Sequence, residues 1–464
     1  MRISTFLLFL FLHVGQLLAQ DSLNNLKIDG YKGIWFSLGQ FSEYGDKYSG
    51  GLGTYTAKHR PLAIYAPEVK KTFFVYGGTT AADEKHLLCM ISYYDHKKKV
   101  VPKPTVVYDK FGIDDPHDNP SLALDRYGYL WVFVSGRGAK RAGFKYRSDR
   151  PYDISSFSRI TEEEMTYPQP LYDEQMGFFH FFTKYTGVRE LYFESSPNGI
   201  RWTDDEKLAG IIEAGATRSG HYQVSGKNGD LICTFFNRHP DGNVDKRTDL
   251  YYAQTMDFGK TWTSIDGSVL KLPMTTVDCG ARVVDYAAQG KNVYMKDLAF
   301  DKNGFPVCLY LTSSGHEPGP KNDPREWRVT YFDGTSWKTS IICRSDHNYD
   351  MGSLYIKGSN WKVFGPTEDG PQKFGTGGEV AIWESRDAGV SWKLSKQVTH
   401  QSAMNHGYVR NPLRAKNPFF SFWADGNPDS FSKSFLYFSD SKGRLVYQLP
   451  YDMEENFERP TKMK

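Results

Sequence analysis

Two eight-residue stretches, Thr255–Trp262 (TMDFGKTW) and Ser385–Trp392 (SRDAGVSW), share the pattern Ser/Thr-x-Asp-x-Gly-x-x-Trp. Ser195–Trp202 (SSPNGIRW) keeps the pattern with Pro197 in the Asp place, and Phe332–Trp337 (FDGTSW) is a shortened relative. Asp and Gly are residues that close a tight turn, and the Trp supplies a large apolar face for packing. This is the Asp-box pattern of β-propellers. It builds structure, so its Asp residues are not candidate catalysts.

Working outward, each Asp box follows an aromatic-rich hairpin. Seven such hairpins recur. They are Pro61–Tyr76, Pro120–Val134, Pro170–Thr183, Tyr222–Phe236, Asp297–Tyr310, Gly352–Phe364 and Pro412–Trp423. Each is a short alternating apolar run, a turn, and a second run rich in Phe, Tyr or Trp. Successive copies start about 58 residues apart. An inner and an outer hairpin per repeat predict an all-β chain, a single seven-bladed β-propeller with Asp-box turns over residues 22–455. Gly33–Leu38 (GIWFSL) is expected to add a strand that helps close the ring, and residues 456–464 to form a mobile tail.

Composition agrees. The 464 residues include 31 Phe, 30 Tyr, 10 Trp, 43 Gly and 23 Pro, which suits strands joined by turns. With 57 Lys+Arg against 54 Asp+Glu and no basic run, nothing points to nucleic acid. Residues 1–20 read as a signal peptide: Arg2 gives the positive start, Phe6–Leu12 is too short to span a bilayer, and cleavage falls near Ala19 or Gln20. The expected compartment is therefore outside the cell or the periplasm, with no membrane span. Five scattered cysteines do not make a disulfide framework. Cys89, Cys233 and Cys308 sit in apolar strand patterns and read as small buried hydrophobes.

Asp boxes also occur in sialidases, but the segment nearest to their early Arg-Ile-Pro motif, Lys58–Leu62 (KHRPL), does not match it. Tyr48–His59 (YSGGLGTYTAKH), Asp114–Pro120 (DDPHDNP), Asp346–Tyr355 (DHNYDMGSLY), Tyr408–Pro412 (YVRNP) and Trp423–Gly426 (WADG) resemble the bacterial BNR-4 propeller proteins. That group includes ulvan lyases and a propeller family of α-L-rhamnosidases. The resemblance runs from about Gly30 to Met453.

The resemblance to the lyases implies a catalytic set of four. His117 matches the first His, and Tyr222 and Arg238 keep the family's sixteen-residue Tyr–Arg spacing. Arg137 stands where the family has its second His, a departure that still suits charge neutralisation. The chemistry asks for such groups. Removing the C5 proton of a uronate requires its carboxylate to be neutralised, which an arginine fork does well. A His or Tyr takes the proton, and a Tyr can protonate the leaving oxygen. Asn119, His221, His59 and Gln40 are expected substrate contacts. All four catalytic candidates flank inner hairpins at one end, so one face of the ring can hold them.

The rhamnosidase resemblance implies a catalytic His on the opposite face, near Gln40 or His59. Three classes therefore remain open: a lyase acting on an acidic rhamnose/uronate polysaccharide such as ulvan, an α-L-rhamnosidase, and a non-catalytic glycan-binding propeller. No cofactor is required for the chemistry. Cys279, His347 and either His406 or His400 are thiolate and imidazole groups that suit a structural Zn²⁺ site, while separate buried roles for Cys279 and His347 are as consistent with the sequence.

Overall fold

A computed structural model describes residues 24–113 and 115–463. The expected signal peptide lies outside the described residues. The structure is built almost wholly from antiparallel strands. Seven sheets of four or five strands follow one another along the chain, covering residues 63–109, 120–163, 166–209, 223–284, 292–345, 353–397 and 405–462. Within each sheet, successive strands pair with their neighbours in chain order, apart from short intervening strands in the first and last. The arrangement is propeller-like.

The core explains how the sheets hold together. Seven apolar clusters lie between sheets rather than inside one. Leu62, Phe73 and Val75 meet Leu122 and Val132 between the first and second sheets. Phe181 and Leu191 meet Ile232 and Tyr251 between the third and fourth. Phe74, Tyr76 and Met90 of the first sheet meet Phe419, Phe422 and Phe438 of the last. An Ile64–Leu413 bridge joins the same two sheets, so the chain's first and last sheets are packed neighbours.

The tryptophans of the turn motif reach back to the preceding sheet. Trp262 lies against Phe179, Phe181 and Phe193. Trp337 lies against Phe235 and Tyr252. In the turn itself, Thr255 donates to Asp257 at 2.8 Å, and Asp257 accepts from the Thr261 N–H at 2.8 Å. Gly259 has φ +92°, a conformation that requires glycine. Trp262 is only 2% exposed. Trp262→Ala is thus expected to cost about 3–5 kcal/mol, measured as a shift of the denaturant midpoint.

Gly33–Ser37 is a strand as expected, and it pairs with Ser432–Ser434 and Ser49–Gly51 in a separate three-stranded sheet. Two expectations need correction. The seventh hairpin starts earlier, at Asn405–Arg410, and Pro412–Phe420 is its connecting loop, because Pro412 and Pro418 cannot donate to a ladder. The tail is not free. Phe457–Glu458 pairs with Val101–Pro102, and Thr461–Lys462 adds a fifth strand to the last sheet.

Candidate active site

Where an antiparallel sheet begins its first strand, it also ends its second and begins its third. Side chains at these three places in neighbouring sheets share one end of the sheet assembly. His117 precedes Pro120–Leu124, Arg137 follows Leu130–Val134, and Tyr167 opens Thr166–Asp173. Arg189 precedes Glu190–Ser196, Tyr222 precedes Gln223–Asn228, and Arg247 precedes Thr248–Thr255. All six line one cavity of about 230 Å³.

His117 is fixed by its neighbours. Its Nδ1 lies 2.5 Å from Asp115 Oδ1. A carboxylate only accepts, so Nδ1 carries the proton and Nε2 is the acceptor, facing the Tyr55 hydroxyl at 3.2 Å. Burial lowers the His117 pKa and Arg137 lowers it further, while Asp115 opposes them. The imidazole is therefore neutral near pH 7. Burial pushes the Asp115 carboxyl up, but His117 and Arg137 outweigh that and hold it well below the usual range. Arg141 donates to the same carboxylate at 2.6 Å.

Tyr222 sits among cations. The Arg189 and Arg247 guanidinium carbons lie 5.6 Å and 5.0 Å from its ring centroid, and Nζ of Lys58, whose pKa burial holds well below the usual lysine value, lies at 5.0 Å. Burial alone would raise its pKa. Arg189, Arg247, the Tyr167 phenol and Arg137 together bring it below the usual 10. Arg247 is itself held by phenols, donating to Tyr349 at 2.7 Å and Tyr48 at 3.3 Å. One N–H of Arg247 (Nη1) and one of Arg189 (Nε) are buried without a partner.

The structure brings together His117, Arg137 and Tyr222 but not Arg238. Tyr222 faces Asn237 across the hairpin, exchanging hydrogen bonds of 2.9 Å and 3.1 Å. On the other edge of that strand, the pairing of Leu231–Arg238 with Thr248–Thr255 shifts register between Phe236 and Arg238. The Arg238 guanidinium instead donates to Asp249 and Glu213, each at 2.7 Å, outside the cavity lining. Sixteen-residue spacing brought the backbones close and left the side chains apart.

Of the four expected contacts, only Gln40 lines the cavity, so it stands on the same face as His117 rather than the opposite one. His59 is fully buried, its Nε2 donating to the His117 carbonyl at 3.0 Å. Asn119 donates to the Leu52 and Tyr55 carbonyls at 2.6 Å and 2.7 Å, fixing the loop that presents Tyr55. His221 donates to Asn237 O at 2.8 Å and accepts from the Ile211 N–H at 3.0 Å. These three support the site from behind. Arg189 and Arg247 escaped sequence reasoning, although both occupy one repeat position, immediately before a third strand.

Residues 90–344 match the family described as BNR repeat-containing family member. The chain belongs to that family. An ulvan lyase of Nonlabens ulvanivorans is 22% identical over 344 residues, 64% of this chain and 68% of that protein. An ulvan lyase of Alteromonas sp. (strain LOR) is 22% identical over 256 residues, and the match spans about half of that relative, 52%. A solved PL25 ulvan lyase superposes with TM-score 0.73 at 16% identity, covering 90% of this chain and 96% of that one. The superposition shows a shared fold.

This BNR family member does not assemble the expected metal ligands. His347 accepts from the Tyr349 N–H at Nδ1. His406 accepts from Trp423 at Nδ1 and contacts Ser402 at Nε2. Burial lowers their pKa values to about 3 and about 4. Cys279 packs instead against the apolar cluster of the third and fourth sheets. Among the described residues, the one group of three spaced for a metal is Glu163, Glu194 and Asp205. Lys145 pairs with both glutamates, at 2.6 Å and 2.7 Å, and Lys184 pairs with Asp205 at 2.7 Å, so each of the three carboxylates already has a lysine partner. Cys89, Cys233 and Cys308 are fully buried as expected.

Proposed function

We propose that this chain is an exported polysaccharide lyase on a seven-bladed propeller, with turns of the Asp-box type. It cleaves the α-L-rhamnosyl-(1→4)-uronate linkage of an acidic polysaccharide such as ulvan by β-elimination. The observation that carries the reading is the Tyr222 phenol, its pKa lowered by surrounding arginines, in one cavity with a neutral His117. The ulvan lyases among its relatives support the reaction class, and the Arg2–Gln20 segment supports export.

In this reading the uronate carboxylate lies against Arg247 and Arg189, which line the cavity and each keep one buried N–H group without a partner. Neutralising it removes the penalty of a second negative charge as C5 loses its proton. Nε2 of His117 takes that proton, with Asp115 stabilising the imidazolium. The C5–H electron pair forms the C4=C5 double bond and the C4–O4 bond breaks. Tyr222 delivers a proton to O4, and the arginines stabilise the phenolate left behind. Among the described residues, one carboxylate, Asp245, stands in the cavity lining and is paired to Lys47, so these residues offer no carboxylate pair for two-carboxylate hydrolysis.

Incubation with ulvan tests the reading. A growing ultraviolet absorbance from unsaturated uronate is expected, and free rhamnose without it would overturn elimination. The rate should follow a bell against pH. Protonation of His117 removes the base as pH falls through a value below 6.5, and loss of the Tyr222 proton removes the acid as pH rises through a value below 10. A pH profile of kcat/KM measures both limbs.

A further inference from the structure

Nε2 of His117, the base in the lyase reading, already has a partner. An imidazole nitrogen offers one lone pair, and that of Nε2 faces the Tyr55 hydroxyl at 3.2 Å. Nδ1–H is committed to Asp115 at 2.5 Å. The three side chains therefore form a continuous series, Tyr55, His117 and Asp115. Tyr55 and His117 both line the cavity, together with the phenols of Tyr48, Tyr167 and Tyr222.

Tyr55 is not easily pushed aside. Its ring packs edge-on to Phe36 and His117, with centroids 4.9 Å and 5.2 Å apart, and against Tyr408 at 4.9 Å. Asn119 donates to its carbonyl at 2.7 Å. Gly50 comes so close that a Cβ there would lie 2.6 Å from the Tyr408 ring and 3.1 Å from the Tyr55 ring. A ring packed on these sides shifts only with strain. Burial and the neighbouring phenols raise the Tyr55 pKa well above 10. The phenol keeps its proton in the resting site, so it accepts a second one only by passing its own to Nε2.

We infer that Tyr55 is a further catalytic residue, whose hydroxyl meets the C5–H of the uronate and relays its proton to His117. The inference rests on the lyase reading above. As the C5–H bond breaks, its proton goes to the Tyr55 oxygen, and the Tyr55 O–H proton goes to Nε2. The C5–H electron pair forms C4=C5, the C4–O4 bond breaks, and O4 takes the Tyr222 proton. Tyr55 ends the step as a neutral phenol. His117 ends it as an imidazolium against Asp115, balanced by the Tyr222 phenolate. An oriented His activating a hydroxyl is the logic of a catalytic triad.

Ulvan turnover by Tyr55→Phe tests the relay. The variant keeps the ring and its packing, so its melting curve should match the wild type. Its kcat should fall about 10²-fold, the low end of the range for an acid–base group. If His117 acted directly, the same variant would bare Nε2, so turnover equal to or above wild type would overturn the relay. Groups that act as one unit are non-additive. Tyr55→Phe combined with His117→Gln should therefore be no slower than His117→Gln alone, and a multiplied loss would also overturn it. The hydrogen bond itself is read without substrate. The His117 Nε2 resonance in nitrogen NMR should shift in Tyr55→Phe, and an unmoved resonance would overturn the relay alone. Absence of unsaturated uronate from the wild type would instead overturn the lyase reading.

Discussion

Tyr222→Phe is expected to lower kcat about 10²–10⁴-fold, the range of one acid–base group, with the fold intact. The substitution removes only the hydroxyl. The ring keeps its edge contacts with Tyr167 and His239, at 5.5 Å and 4.9 Å between centroids. Its backbone remains tied to Asn237. A melting curve close to wild type, together with loss of unsaturated product, separates chemistry from folding. The alkaline limb of the pH profile should also vanish, since Tyr222 is the group assigned to it. Wild-type turnover in this variant would remove Tyr222 from the mechanism.

The second large effect distinguishes two arginines. Arg247→Lys keeps a charge but loses the fork that donates to Tyr349, Tyr48 and the Val244 carbonyl. It also removes the unpartnered N–H assigned to the uronate. A lysine places a compact charge where a planar, bidentate group is required. Activity should fall about 10²–10³-fold, the usual loss for one transition-state donor. Arg238→Lys should behave differently. Arg238 is tied to Asp249 and Glu213 away from the cavity, so its replacement should lower the melting temperature more than the turnover. Paired kinetic and thermal measurements on the two variants decide the assignment. A larger activity loss in Arg238→Lys would return the neutralising role to that residue.

The sequence by itself determined the strand-rich architecture and part of the site. Turn motifs and alternating aromatic runs are local signals, and they marked six of seven inner hairpins at nearly their observed places. The seventh was misplaced because the apolar run around Pro412–Phe420 mimics a strand, while its two prolines deny the ladder its donors. His117, Arg137 and Tyr222 were singled out through motifs that resemble those of the lyases, and each abuts an inner hairpin, so that the structure brings them into one cavity. The orientation of a side chain at a strand end is not a local property. It depends on register, and the shift beside Arg238 turned that residue toward Asp249 while Tyr222 stayed in the cavity. Arg189 and Arg247 come from two different sheets, and only the packing of those sheets side by side brings both within 6 Å of the Tyr222 ring. Their charges act on the phenol because burial keeps water from screening them. Part of the cavity lining was thus legible in the chain, whereas the pKa shifts of its residues and the arginines that surround Tyr222 arose from long-range packing.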